Sequence, residues 1–222
     1  MADIYFSSDP HLAHANILKF TKPCRSCEGK GRTPGNRKCV KCGGLGQVRV
    51  RPFNDLGEMH AAIIDRHNAR VRPQDHWYCL GDLTMQRQLG QIDSILTRLN
   101  GHKRIILGNH DMAPIKDYVK YFEKVTSYRV IDNIMFSHIP IHPDSMGRFA
   151  GNVHGHIHSN RGDTPFDTYP PIIRGEGPAR PYLNLSMEVI DYTPVSLEEV
   201  QAYLKKAAKL APAIAKIKSE FQ

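Results

Sequence analysis

The chain lacks any hydrophobic run approaching the ~18–20 apolar residues that a membrane-spanning helix needs. Its first four residues include an acid where a secretory leader would carry bases, and the apolar stretch Ile4-Tyr5-Phe6 is too short for a leader core. We therefore expect a cytoplasmic protein with no membrane partner. Aromatic residues are few, at 8%, but 41% of the 222 residues are hydrophobic, which excludes a disordered or fibrous chain.

Cysteine is also scarce, with five residues in the whole chain, so a scaffold held together by disulfides is not expected. A chain of this length can bury a substantial core without such bonds. The length suits one compact domain with room for an insertion. In a reducing compartment, the cysteines are better explained as metal ligands or buried thiols than as disulfide partners.

Acidic residues are nearly missing between residues 21 and 51, where Glu28 is the only one. The rest of the chain is balanced, with 21 bases and 21 acids, so the formal net charge of +8 lies in this segment. A nucleic acid or another polyanion, if bound, would be expected to meet it, although a basic loop can also be only a solvated surface. The bases of the segment are Lys22, Arg25, Lys30, Arg32, Arg37, Lys38, Lys41, Arg49 and Arg51.

Four of the five cysteines lie in the same segment, as the pairs Cys24/Cys27 and Cys39/Cys42. Two thiolate pairs at this spacing are typical of a tetrahedral Cys₄ zinc site, and the glycines after each pair allow the tight turns that such a site needs. Each pair followed by Gly, one residue and Gly resembles the cysteine-rich zinc repeats of Hsp40-type co-chaperones. We therefore predict a basic zinc-binding insertion at 21–51 with one structural zinc, flanked by one domain formed by 1–20 and 52–222. Disulfides or free thiols are the alternative.

Outside this segment, short apolar runs alternate with helical patterns, which indicates an α/β fold. Amphipathic periodicity predicts helices over 55–71 and around 89–99, and Ser196 with Glu199 forms a capping box for a further helix. Five apolar runs are each followed by polar residues suited to chemistry, and such residues gather beyond the carboxyl ends of strands in open α/β sheets. These residues are Asp9, His11, Asp82, Asn109, His110, Asp111, His138, His156 and His158.

Carboxylate and amide oxygens mixed with imidazoles suit divalent Mn, Fe, Ni or Zn. Seven ligands drawn from these nine residues are more than one ion needs from a protein that leaves an open coordination position. They suffice for two ions that share one carboxylate. A single histidine of this kind would usually be an ordinary surface or core residue, but an ordered set of five motifs is far more specific.

The motifs Asp9-Pro10-His11, Gly81-Asp82, Gly108-Asn109-His110-Asp111, His138 and Gly155-His156-Ile157-His158 resemble those of the calcineurin-like metallophosphoesterases. The resemblance implies a mixed two-sheet β-sandwich flanked by helices, with later strands at 182–185 and 187–190. It implies one ion held by Asp9, His11, Asp82 and His158, and a second ion held by Asp82, Asn109, His138 and His156. Asp82 would then be the bridging ligand. Many members of that family have an Asp where this chain has Met85.

Two adjacent cations would lower the pKa of a bridging water, giving a hydroxide that attacks phosphorus, and would offset charge on the phosphoryl oxygens. His110 is then free to protonate the leaving oxygen, Asp111 could orient its imidazole, and Asn109 completes the catalytic loop. His14, Arg148 and Arg161 are candidate substrate-binding residues, since an arginine near the cleft could clamp a phosphate.

These features predict a dinuclear-metal phosphohydrolase, with a phosphodiesterase acting on nucleotides or nucleic acids preferred. Phosphomonoesterase and pyrophosphohydrolase activities remain open. The alternative to an enzyme is a non-catalytic nucleic-acid or protein-binding module that uses the zinc knuckle on a phosphoesterase scaffold. The sequence does not define the oligomeric state.

Overall fold

The computed structural model describes residues 2–160 and 181–207. The chain divides into two compact units, one formed by residues 1–13 and 62–222 and the other by residues 14–61. No helix in the described residues has both the length and the apolar character required to cross a bilayer.

The first unit contains two mixed β-sheets. Their strands, in the described part of the chain, are β1 (Ile4–Ser7), β6 (His76–Cys79), β7 (His102–Ile106), β8 (Lys124–Thr126), β9 (Tyr128–Ile131), β10 (Ile134–Ser137), β11 (Asn152–His154), β12 (Tyr182–Asn184) and β13 (Val195–Ser196). A five-stranded sheet has the order β13-β1-β6-β7-β8, and a four-stranded sheet has the order β12-β11-β10-β9. Strands β1, β6, β7 and β8 are parallel to one another, as are β10, β11 and β12.

Both sheets contribute side chains to one hydrophobic core. Phe6 of β1 stacks on Tyr78 of β6 and on Phe136 of β10, with ring centroids 5.5 and 4.2 Å apart. The same cluster includes Val153 and Leu183 from the second sheet. The predicted α/β class is confirmed, and the five apolar runs of the sequence lie in or beside buried strands.

Of the helices predicted in the first unit, one begins at its predicted capping box and another is shorter than predicted. The described part of the C-terminal helix, 197–207, begins as predicted, because the Ser196 hydroxyl accepts the Glu199 N–H while the Glu199 carboxylate accepts the Ser196 N–H. The helix predicted around 89–99 is shorter. It consists of a 3₁₀ turn, Leu89–Ile92, and α2, Asp93–Leu96. Another short helix, α3, spans Ile115–Tyr118.

The strand expected at 187–190 is wrong, because this segment is a turn. The Val189 and Ile190 N–H groups both donate to the Ser186 carbonyl, and the Asn184 side-chain oxygen accepts the Ser186 N–H. These local bonds hold the turn, while the Met187 N–H donates to the Ser8 carbonyl beyond the end of β1. Met187, Val189 and Ile190 are buried while Glu188 contacts a histidine, so this segment packs in the core as a turn and not as the strand that the family resemblance implies.

The second unit contains two small antiparallel pairs, β2 (Thr21–Pro23) with β5 (Gln47–Arg49), and β3 (Arg32–Thr33) with β4 (Arg37–Lys38). The helix predicted over 55–71 is observed as α1 (Leu56–Arg70), which begins in this unit. Its start is capped by Asp55, whose carboxylate accepts the Glu58 N–H at 2.9 Å. The remaining 3₁₀ helices of the two units are Ala15–Lys19, Arg25–Cys27, Pro143–Ser145 and His158–Asn160.

Candidate metal centres

Six of the predicted ligands form two triads in the first unit. In each triad, the potential ligand atoms lie within 4.8 Å of one another, which is close enough for a single cation to contact all three. One triad is Asp9, His11 and His158, and the other is Asp82, His138 and His156. We call them the first and second His/Asp clusters.

The parallel strands of the five-stranded sheet explain how distant residues meet. Strands β1 and β6 run in register side by side, so their carboxyl ends lie at the same edge of the sheet. Asp9 and Asp82 follow these ends by two and three residues, and the Asp9 N–H donates to the Gly81 carbonyl at 2.9 Å. A further backbone bond, from the His11 N–H to the Asp82 carbonyl at 3.1 Å, fixes the two loops together.

The backbone is strained at several candidate ligands, which adopt the left-handed conformation without being glycine. Such a conformation costs roughly 1–2 kcal/mol per residue, and clusters of it are typical of functional sites. The residues with positive φ are Asp9 (57°), His11 (48°), Asp82 (51°), His156 (68°) and His158 (49°).

Asp82 lies between the clusters. Its Oδ2 is 3.3 Å from His138 Nε2 in the second cluster and 3.7 Å from His11 Nε2 in the first. Burial acts to raise the pKa of Asp82, but the hydrogen bond and charge of His138 and the His110 N–H lower the pKa to about 2. Asp82 is therefore an ionised carboxylate that faces histidines of both clusters.

The two histidines of the second cluster differ in pKa: burial acts to lower the pKa of His138, but the hydrogen bond and charge of Asp82 raise it overall. His138 Nδ1 lies 2.9 Å from the Leu80 carbonyl, which leaves Nε2 directed at Asp82 and, at 3.0 Å, at Asn109 Oδ1. Burial lowers the pKa of His156, which favours the neutral imidazole that binds metals. The structure thus brings Asn109, His138, His156 and Asp82 together.

The first cluster is supported by three residues that were not predicted as site residues, in the segment that begins at the end of β12. Ser186 Oγ donates to Asp9 Oδ2 at 2.9 Å, and Glu188 Oε1 lies 2.8 Å from His158 Nδ1. Asn184 Nδ2 donates to the His158 carbonyl at 2.7 Å. An Asn-x-Ser-x-Glu pattern that begins inside the strand predicted at 182–185 was the signal available in the sequence.

His110 lies beside the clusters, with its ring centroid 5.9 Å from that of His11. Its backbone N–H donates to Asp82 Oδ1 at 2.9 Å, which places the residue next to the carboxylate that lies near histidines of both clusters.

The structure gives Asp111 contacts other than the expected one with the His110 imidazole. Its carboxylate accepts the backbone N–H groups of Asp82, Leu83 and Gly108 at 2.8–2.9 Å. Burial raises the pKa of Asp111 to about 6. Because its oxygens accept backbone N–H groups, Asp111 fixes the loop that carries Asp82. This role follows from the geometry of the turn and not from the position of Asp111 next to His110 in the sequence.

Two glycines permit the close approach of these loops. A Cβ at Gly155 would overlap Ser8 and the Asp9 carboxylate, and a Cβ at Gly108 would overlap the Asp82 carboxylate. The glycines in the motifs are therefore needed because any side chain would occupy the space of a candidate ligand.

The second unit contains a Cys₄ cluster whose geometry suits zinc. The four sulfur atoms lie within 4.8 Å of one another, with Cys24 and Cys39 Sγ 3.9 Å apart and Cys27 and Cys42 Sγ 3.7 Å apart. Sulfurs bound tetrahedrally at ~2.3 Å from one zinc would be about 3.8 Å apart. This spacing is far longer than an S–S bond of about 2.05 Å, so the described cysteines are not arranged as disulfides.

The two halves of the Cys₄ cluster have the same local geometry. The Gly31 N–H points at Cys27 Sγ at 3.2 Å, and the Gly46 N–H points at Cys42 Sγ at 3.3 Å. Both glycines have positive φ, and a Cβ on either would overlap the backbone of the other half. N–H groups directed at sulfur stabilise thiolates, which are the form that binds metal.

Seven of the nine bases in segment 21–51 are exposed. Lys22 is half-buried, and Arg51 is fully buried with Nη1 3.7 Å from Met59 Sδ. The exposed bases are Arg25, Lys30, Arg32, Arg37, Lys38, Lys41 and Arg49. The basic charge predicted from the sequence is therefore mostly on the surface of this unit.

Two of the three candidate substrate-binding residues lie in the described part of the chain, and neither is a member of the His/Asp clusters. His14 belongs to the second unit, where it precedes the 3₁₀ helix Ala15–Lys19. Arg148 is exposed, and its carbonyl accepts a bond from Asn133. Arg161 lies outside the described residues.

Fold and site together define a mixed α/β protein with two His/Asp clusters and a Cys₄ cluster. No family model matches the chain. Uncharacterized protein MJ1445 of Methanocaldococcus jannaschii is 33% identical over 211 residues, which are 93% of this chain and 93% of that protein. The chain belongs to the same family as this archaeal protein.

Two solved structures resemble the fold to different degrees. The protein of unknown function AQ665 from Aquifex aeolicus has a TM-score of 0.56 at 22% identity, over 91% of this chain and all of that chain, which shows a shared fold. The Pseudomonas putida nuclease MPE has a TM-score of 0.39 at 16% identity, over 70% of this chain and 61% of that chain. The second likeness is too low to support an argument.

Proposed function

We propose that the protein is a dinuclear-metal phosphoesterase of the calcineurin-like type, and that it hydrolyses phosphodiesters of nucleotides or nucleic acids. The observation that carries the proposal is the position of Asp82, whose Oδ2 lies within 3.7 Å of histidines from both His/Asp clusters. Two adjacent three-residue clusters joined by one carboxylate are what a two-ion site requires.

The donor chemistry of both clusters fits divalent cations. One ion would be held by Asp9, His11, Asp82 and His158, and the other by Asp82, Asn109, His138 and His156. Oxygen and imidazole donors of this kind suit Mn, Fe, Ni or Zn. Five of these residues have a strained left-handed backbone, and strain of this kind clusters at functional sites, which supports a functional role.

Two bound cations supply an activated water and offset the negative charge of the phosphoryl group. The protein's own residues do the rest. Asp82 holds its negative charge between the clusters, Asp111 fixes the loop that carries it, and His110 protonates the leaving oxygen. Without that proton, the leaving group would depart as an alkoxide.

The nucleic-acid part of the proposal rests on the second unit. Seven exposed bases lie in the same segment as the Cys₄ cluster, and a structural zinc there would hold the segment 21–51 as an inserted module. Several phosphates of one polyanion could contact such a surface, and the affinity would then fall steeply with salt.

Metal removal and reloading tests the proposal. Chelator-treated protein is assayed on a panel of nucleotide diesters, short single strands, phosphomonoesters and pyrophosphates, with and without added Mn²⁺, Fe²⁺, Ni²⁺ or Zn²⁺. We expect diester hydrolysis that disappears with the metal and returns with it. A preference for monoesters would correct the substrate, and the absence of turnover with every metal on every class would leave only the binding-module alternative.

A further inference from the structure

We propose that Glu188 is a positioning residue that makes the first His/Asp cluster the tighter of the two cation sites, so that the two ions bind in a fixed order. The second cluster would then be the exchangeable site whose occupancy sets activity. This inference rests on the proposed function, because it assumes that both clusters bind cations.

The contact that carries the inference joins Glu188 to His158. Glu188 Oε1 is 2.8 Å from His158 Nδ1, and the glutamate side chain is only 2% exposed. With Nδ1 held in this way, His158 directs Nε2 towards Asp9, whose Oδ1 is 3.8 Å away. A carboxylate behind a metal-binding imidazole fixes the ring and increases the basicity of its free nitrogen.

The equivalent histidine of the second cluster has a weaker partner. His138 Nδ1 contacts the backbone carbonyl of Leu80 at 2.9 Å, and a carbonyl carries no net charge. The carbonyl also orients the ring, but it adds less negative charge behind Nε2 than a carboxylate does. The two clusters therefore differ in the chemistry of the group behind one histidine.

The charges of the ligands themselves point the same way. In the proposed site, Asp9 is a ligand of the first cluster alone and Asp82 is a ligand in both clusters. Glu188 adds a further negative charge behind His158. The second cluster has a share of Asp82, and its other donors are Asn109 and two histidines, which are neutral when they bind a metal. A divalent cation is attracted more strongly to the more negative site.

Local structure keeps Glu188 in place. The turn after Ser186, with the Val189 and Ile190 N–H groups on the Ser186 carbonyl, directs Glu188 at His158 while Met187 and Val189 are buried. Ser186 itself donates to Asp9. One turn therefore supports two ligands of the first cluster.

The test is a titration of Mn²⁺ into protein from which weakly held metal has been removed and whose Cys₄ zinc has been verified by elemental analysis. Isothermal titration calorimetry gives the two affinities, and electron paramagnetic resonance distinguishes isolated Mn²⁺ from coupled pairs. In the unaltered protein, we expect two separated binding steps and the signal of isolated Mn²⁺ at one equivalent.

Glu188→Gln keeps an oxygen acceptor for His158 but removes the charge. We expect it to weaken the first binding step by about 10–100-fold and to leave the second nearly unchanged.

Glu123→Gln is the matched control, because Glu123 contacts His102 Nδ1 at 2.6 Å in a pair that belongs to neither cluster. It should change neither step. With the affinities brought together in Glu188→Gln, coupled Mn²⁺ pairs should already appear at one equivalent. If Glu188→Gln does not fold, Glu188→Asp, which keeps the charge, should retain the ordered binding.

An unchanged first step in folded Glu188→Gln would overturn the inference, as would equal weakening of both steps, loss of ordered binding in folded Glu188→Asp, or the same effect in Glu123→Gln. Failure of the proposed function would look different. In that case, Mn²⁺ would not bind to the unaltered protein at all.

Discussion

Replacing His110 with Ala is expected to lower kcat for unactivated diesters by about 10²–10⁴-fold, which is the usual contribution of a general acid. The side chain lies beside the clusters, and its backbone N–H contacts Asp82. Removing the imidazole leaves that backbone contact and the predicted ligands in place. The loss should therefore appear in kcat, with the same metal content as the unaltered protein.

The leaving group provides the sharpest check of this role. A p-nitrophenyl ester needs little protonation on departure, so His110→Ala should lose much less activity on it than on an alkyl or nucleoside ester. His142→Ala removes an exposed histidine of the same unit and should have little effect. Equal losses on both kinds of ester would contradict the assignment of His110 as the proton donor.

Replacing Cys24 and Cys27 together with Ser is expected to remove the bound zinc and the structure of the second unit. Binding of a structural zinc contributes an apparent ~10–16 kcal/mol in small modules, and the hydrophobic cluster at these cysteines contains only Val48 besides the four thiols. No packed core replaces the metal there. Elemental analysis and limited proteolysis between residues 14 and 61 would measure both losses.

Cys79→Ala is the control, since Cys79 is buried in the first unit and lies outside the Cys₄ cluster. It should keep a full complement of zinc and remain resistant to proteolysis in that segment. A double Cys→Ser variant that retains zinc and the resistance would show that the four thiols are not the metal site.

The sequence alone was sufficient to predict the α/β class, because a buried parallel strand produces a short apolar run whichever strands it pairs with. It also predicted which residues gather at the clusters, since Asp9 and Asp82 follow neighbouring parallel strands whose ends must coincide. The Cys₄ cluster was predictable for a different reason: its spacing and glycines encode the geometry of the turn itself.

The supporting contacts were not predictable in the same way. Glu188 lies 30 residues from His158 in the chain, and its segment was expected to be a strand, in which its direction would have been different. The contacts of Asp111 with three backbone N–H groups depend on how two loops fold around Asp82. Such contacts depend on tertiary arrangement, for which a single sequence carries no periodic signal.

Metal content measured together with anomalous diffraction tests the central claim most directly. Protein reloaded with Mn²⁺ is expected to hold one zinc at the Cys₄ cluster and two manganese ions in the first unit, with Asp82 between them. Asp82→Ala should keep the zinc and lose manganese. A reloaded protein that never holds metal beyond the single zinc would contradict the account.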